Sequence, residues 1–272
     1  IRMDNRPIGI FYSGIGGLTA FKKVRQLMPN EDIIYFGDTS RVPYGGRSSD
    51  TIKQYAAQDI RFLLSHQVKM IVIACGTVSA NLPPILQQLS VPYTGVLQPA
   101  VEAACRATKT KRIGILATAA TIRSCAYEKA IFEILPDAML VPKACPMFVP
   151  LVENGYIQKD CTVTRMIAEE YLAPLKEAEV DTIILGCTHY PVIKELIGDL
   201  VGPDVTLIDS GKEAARYTQR YLEQNGLRTH RTQPGASHFF VSDTVDSFAA
   251  TARIFLGRDI GRDASHIDIN QY

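Results

Sequence analysis

The chain has 272 residues, of which 46% are hydrophobic and 21% charged, so it can bury a core and is not a disordered segment. Its net charge of +1 offers no electrostatic footprint for nucleic acid or an anionic membrane. No apolar run approaches the ~18–20 residues of a membrane span, and the opening IRMDNRP has no signal-peptide core, with Met3 expected as the natural start. From the amino terminus onward, short β-branched runs alternate with helical patterns. Residues 7–11 (PIGIF), 32–36 (DIIYF), 70–74 (MIVIA), 112–116 (RIGIL), 138–141 and 182–185 (TIIL) read as buried parallel strands. Residues 48–67 predict a helix, because Ile52, Tyr55, Ala56, Ile60, Leu63 and Leu64 share one face and Ser48, Ser49 or Asp50 can cap the start. This alternation predicts an α/β class with parallel sheets.

A faint internal repeat runs through the chain. Ile8-Gly9-Ile10 recurs as Ile113-Gly114-Ile115, and VKMIVIACGT (68–77) is answered by VDTIILGCTH (180–189). In both later segments a strand ends in a small residue, then cysteine, with threonine close behind. Cys75 and Cys187 therefore fall where a strand gives way to a helix, at the carboxyl edge where α/β folds place ligands. Two similar halves facing each other would enclose one cleft.

The six cysteines, Cys75, Cys105, Cys125, Cys145, Cys161 and Cys187, form no C-x-x-C pair. A chain this long needs no disulfide staples, so a reducing, cytoplasmic setting is expected, in which most cysteines are small buried hydrophobes. Cys75 and Cys187 differ by their matched positions. A helix amino terminus favours thiolate. Two opposed thiols suit removal of a proton from one face of a carbon and delivery to the other, which is stereoinversion at a Cα. His189 could relay a proton to Cys187 or hold a carboxylate. No paired ligand spacing supports a zinc site at these residues.

S-G-I-G-G (13–17) follows the first strand and permits close backbone approach to an anion. A dinucleotide fingerprint would need glycine or alanine where Thr19 stands, so the loop reads as a carboxylate binder. R-V-P-Y-G-G (41–46) reads as a binding loop, offering a tyrosine hydroxyl and backbone N–H groups, or as an ordinary turn.

The motifs S-G-I-G-G-L-T (13–19), I-Y-F-G-D-T-S-R-V-P-Y-G (34–45), I-A-C-G-T-V-S-A (73–80), A-C-P-M-F-V-P-L-V-E (144–153) and L-G-C-T-H-Y-P (185–191) together resemble glutamate racemase, in that family's order. The resemblance implies two similar α/β lobes, 1–97 with 211–272 and 98–210, each a mostly parallel sheet flanked by helices, with the active site in the cleft between them. It implies that Cys75 and Cys187 exchange the Cα proton of glutamate with no cofactor and no metal. It further implies substrate contacts from Ser13, Tyr44, Gly45, Thr77, Thr121, Thr188 and His189, with Tyr12 and Gly76 lining the same pocket. Asp38 and Glu153 fall where the family keeps supporting acids. Bacterial members supply D-glutamate for the cell wall and commonly form homodimers.

Two positions depart from the family pattern. Tyr12 stands where it has an aspartate thought to assist the thiol equivalent to Cys75, and Gly76 stands where it has asparagine. Tyrosine supplies no carboxylate at neutral pH, so reduced turnover is expected, with any defect on the Cys75 side. A catalytically silent binding protein and a racemase for aspartate or a related acid are the alternatives.

Overall fold

The computed structural model describes residues 4–272; the expected start at Met3 lies outside the described residues. Among the described residues ten strands form two sheets, every pairing parallel. The first comprises β1 (Ile8–Tyr12), β2 (Ile33–Gly37), β3 (Met70–Ile73), β4 (Tyr93–Gly95), β9 (Ser237–Val241) and β10 (Ala264–His266), in the order β10-β9-β2-β1-β3-β4. The second comprises β5 (Arg112–Ala117), β6 (Met139–Ala144), β7 (Thr182–Leu185) and β8 (Thr206–Asp209), in the order β6-β5-β7-β8. The central strands β1 and β3 are buried throughout, as are β2 and β7, which is why they read as unbroken apolar runs.

The six expected strands are all present, with ends shifted by a residue or so, and by three at the end of β6. The other four escape the apolar-run signal. β4 and β10 are three residues each and lie at sheet edges, while Thr206–Asp209 and Ser237–Val241 mix polar with apolar positions.

The repeat is structural. The strand order β2-β1-β3-β4 matches β6-β5-β7-β8, and the chain's last two strands extend the first sheet beyond β2. Gly9 pairs with Ile71 and Gly114 with Ile183, and each isoleucine precedes its cysteine by four residues. Both glycines accept a helix over a central strand. A Cβ on Gly9 would crowd Leu63, and one on Gly114 would run into Leu175.

Eleven helices are described. α1 (Leu18–Leu27), α2 (Ser49–Ser65), α3 (Gly76–Ser79), α10 (Ser210–Gln224) and α11 (Val245–Leu256) accompany the first sheet. α4 (Leu97–Ala107), α5 (Ala119–Ser124), α6 (Ala126–Ile134), α7 (Phe148–Glu153), α8 (Thr162–Glu177) and α9 (Lys194–Val201) accompany the second. In α2 the Ser48 hydroxyl accepts from the Thr51 N–H and caps the start, while Ile52, Ala56, Ile60 and Leu63 are buried as the periodicity predicts. No helix among the described residues is long and apolar enough to cross a membrane.

Candidate active site

Parallel pairing puts the carboxyl ends of all strands in a sheet at one edge. Ser13 follows β1, Asp38 follows β2, Cys75 lies one residue beyond Ala74 after β3, and Cys187 follows Gly186 after β7. The repeat adds a residue that motif reading passed over. Thr118 stands four residues after Gly114, as Ser13 stands four after Gly9. Its hydroxyl is 3.2 Å from that of Thr77 and 3.0 Å from that of Thr121. Applying the repeat to Ser13 is the signal that finds it.

Cys75 is 2% exposed, and its thiol lies 3.7 Å from the Ser13 hydroxyl. A helix amino terminus lowers a thiol pKa, but at Cys75 the balance goes the other way. Burial pushes the thiol up, and the Cys187 charge adds to the rise, while the Val78 N–H and the Ser13 hydroxyl only partly offset them. The reason is local: α3 is a single four-residue turn, with little dipole to set against complete burial.

Cys187, 3% exposed, lies 3.7 Å from Nδ1 of His189. The other ring nitrogen of His189, Nε2, lies 2.8 Å from Oε1 of Glu153, at the carboxyl end of α7. Burial opposes a charged imidazole, but the hydrogen bonds and charges of Cys187 and Glu153 outweigh it and hold His189 up to about 9. At neutral pH the ring is therefore a cation that donates from both nitrogens. Replacing Glu153 with glutamine removes one of those charges. His189 should then titrate nearer its ordinary 6.5, read from the imidazole Cε1 proton shift in an NMR pH series; an unmoved midpoint would show that Glu153 does not hold the proton.

Tyr12 changes the expected asymmetry. Its hydroxyl does not stay with Cys75 but lies 3.1 Å from Nδ1 of His189, with the two ring centroids 5.8 Å apart. The His189 proton on that side is thus offered to the Tyr12 oxygen as well as to the Cys187 sulfur. Cys75 lacks a carboxylate at position 12, and Cys187 shares its histidine with a phenol. Burial raises the Tyr12 phenol well above its usual value, helped by the charges of both cysteines, so it is neutral and acts as a hydrogen-bonding group only.

The sheet edges meet closely. The Thr19 hydroxyl donates to the Thr188 carbonyl at 2.7 Å, and a Cβ on Gly16 would overlap the His189 ring. A Cβ on Gly76 would overlap the Gly186 carbonyl oxygen, so the glycine lets two backbones touch beside the cysteines. Gly76→Asn should separate them and destabilise this arrangement by about 1–3 kcal/mol, seen as a lower thermal midpoint; an unchanged midpoint would mean that the close approach is incidental.

The remaining residues divide. Ser13, Thr77, Thr121 and Thr188 are buried at the junction of the sheets, with the Thr188 side chain beside the Tyr12 phenol. Gly45 faces Thr118 across the gap. The Tyr44 hydroxyl, expected to be free for a ligand, is not: it donates to Asp38 and lies 3.0 Å from Asp59. Asp38 is fully buried and bonded also to Arg41 and Ser242. Arg41, which opens the 41–46 loop, and Asp59 complete this network; of the two, Asp59 lies outside every motif.

Known proteins match this chain over most of its length. The family pattern described as Asp/Glu/Hydantoin racemase matches residues 19–218. The chain belongs to that family. It is 46% identical over 259 residues to the glutamate racemase of Chlorobaculum tepidum, covering 94% of each chain. To that of Geobacter metallireducens it is 44% identical over 260 residues, 95% of this chain and 96% of the relative. The crystal structure of glutamate racemase from Francisella tularensis in complex with D-glutamate superposes with a TM-score of 0.91 at 36% identity, covering 99% of this chain and all of that one. The racemase resemblance read from the motifs and the expected α/β fold of paired parallel sheets both hold. Tyr12 reaches His189 between the edges, and Gly76 stands where a side chain would meet the Gly186 carbonyl.

Proposed function

We propose that the chain interconverts L- and D-glutamate by proton transfer at Cα, with the Cys75 sulfur on one face and the Cys187 sulfur on the other, and with no cofactor. What carries this reading is the repeat: two buried cysteines at equivalent ends of equivalent strands, each with its own polar partner. One thiolate would take the proton and the opposing thiol would return one from the far side, with His189 and Glu153 serving Cys187. The hydroxyls of Ser13, Thr77, Thr121 and Thr188, with backbone N–H groups at Tyr44, Gly45 and Gly76, would hold the two carboxylates and the amino group. The proposal includes lobes bounded at 97/98 and 210/211, a homodimer, a cytoplasmic location and supply of D-glutamate for the cell wall.

In deuterated water, L-glutamate should lose its Cα–H NMR signal while its optical rotation decays. Absence of exchange with either enantiomer at high enzyme concentration would sink the proposal. Tyr12 favours a second reading, a homologue that binds glutamate but turns it over slowly or not at all. A substrate panel including aspartate separates both readings from a related racemase.

A further inference from the structure

Counting donors at one buried cluster leads to a proton that no motif assigns. The Tyr44 hydroxyl has one hydrogen and touches two carboxylates, Oδ2 of Asp38 at short range and Oδ2 of Asp59 at 3.0 Å. Asp38 also accepts from Arg41 Nε at 2.6 Å and from the Ser242 hydroxyl at 2.7 Å. Asp59 receives only a longer bond, 3.2 Å, from Arg41 Nη2. Both carboxyl groups are wholly buried, and Arg41 is nearly so. The single Tyr44 hydrogen serves one of the two, so the other contact is a hydrogen bond only when that carboxyl supplies the hydrogen; Asp38 is already met by Arg41 and Ser242, which leaves Asp59 to supply it. Charge agrees: one guanidinium balances one carboxylate, and a second buried negative charge would stand uncompensated.

We propose that Asp59 is held as a neutral carboxylic acid, that its proton completes the chain Asp59–Tyr44–Asp38, and that this chain positions the Tyr44–Gly46 turn at the boundary between the sheets. The turn packs on α5, with Gly45 against Thr118, so its position reaches the site through Thr118, Thr77 and Thr121. Asp59 is a positioning residue, and its effect on turnover rests on the racemase reading given above. The groups acting on Asp59 are Asp38, Arg41 and Tyr44, with Arg41 stacked over the Tyr55 ring of α2 at 4.1 Å. Burial and the Asp38 charge push Asp59 well above the carboxylate range, and Arg41 and Tyr44 offset only part of the rise.

The test compares the protein with Asp59→Asn, whose amide reproduces a protonated acid: NH2 toward Tyr44, oxygen toward Arg41. At neutral pH the infrared difference spectrum, parent minus Asp59→Asn, should contain the carbonyl stretch of a protonated carboxyl group. Carboxylate bands alone would overturn the proposal, whether or not the protein racemises glutamate. Stability gives a second arm. A raised folded pKa stabilises fully below the unfolded value of about 4 and is lost as pH climbs through the folded value. The thermal midpoint of Asp59→Asn should therefore gain on that of the parent as pH rises, and a constant gap would contradict the proton. For turnover, Asp59→Asn should keep kcat/KM within about threefold while Asp59→Leu raises KM about tenfold or more; equal damage in both would refute the positioning role. If glutamate is not turned over at all, the racemase reading fails, while the infrared and stability arms still decide the proton.

Discussion

Replacing either Cys75 or Cys187 with alanine should lower the rate of glutamate racemisation by about 10³-fold or more, beyond the usual cost of one lost acid/base group. The size of the effect follows from geometry. Inversion needs a proton carrier on each face of the Cα, and alanine leaves one face with none. The surviving thiol can still remove a proton and return it to the same side. Each variant should therefore retain deuterium exchange with one enantiomer while inverting neither. Proton NMR in deuterated water reads exchange, and polarimetry reads inversion. A variant that still inverts glutamate would end the two-thiol assignment.

The second large effect is a gain. Tyr12→Asp should raise the racemisation rate by about 10²-fold, the lower end of what one assisting group contributes. Two changes act together in that variant. A carboxylate returns beside Ser13 and Cys75, where burial otherwise holds the thiol protonated. The phenol also leaves Nδ1 of His189, freeing that proton for Cys187. Tyr12→Phe separates the two: it releases His189 but supplies no carboxylate, and should give a smaller gain. Activity in neither form, with glutamate still bound, would favour the silent-homologue reading.

How much of this was legible in the sequence depends on what each residue signals. The central strands were, since burial on both faces leaves unbroken apolar runs. So was the pairing of Cys75 with Cys187, because the repeat survives as one spacing, seven residues from Val68 to Cys75 and from Val180 to Cys187. Four strands were not, because three-residue strands such as β10 and strands that mix polar with apolar residues, such as β9, carry no unbroken apolar run. The direction of the Tyr12 side chain was not legible either. Sequence places it beside its neighbour Ser13, and only the fold shows the ring reaching His189, 177 residues away. Asp59 was hidden for a similar reason: on α2 it looks like one more polar helix position, until folding buries it against Tyr44.

The return of the final strands to the first sheet sets the order of assembly. Residues 112–209 contain every strand of the second sheet without interruption, so that unit can close as soon as it leaves the ribosome. The first sheet cannot. β2 pairs with β9, Ile33 beside Ser237, and until that late segment arrives β2 is an open apolar edge of the kind that recruits other chains. Pairings this distant in sequence also form slowly. The amino-terminal half is thus synthesised first and finished last, and its exposure to misassociation lasts for as long as the rest of the chain takes to appear.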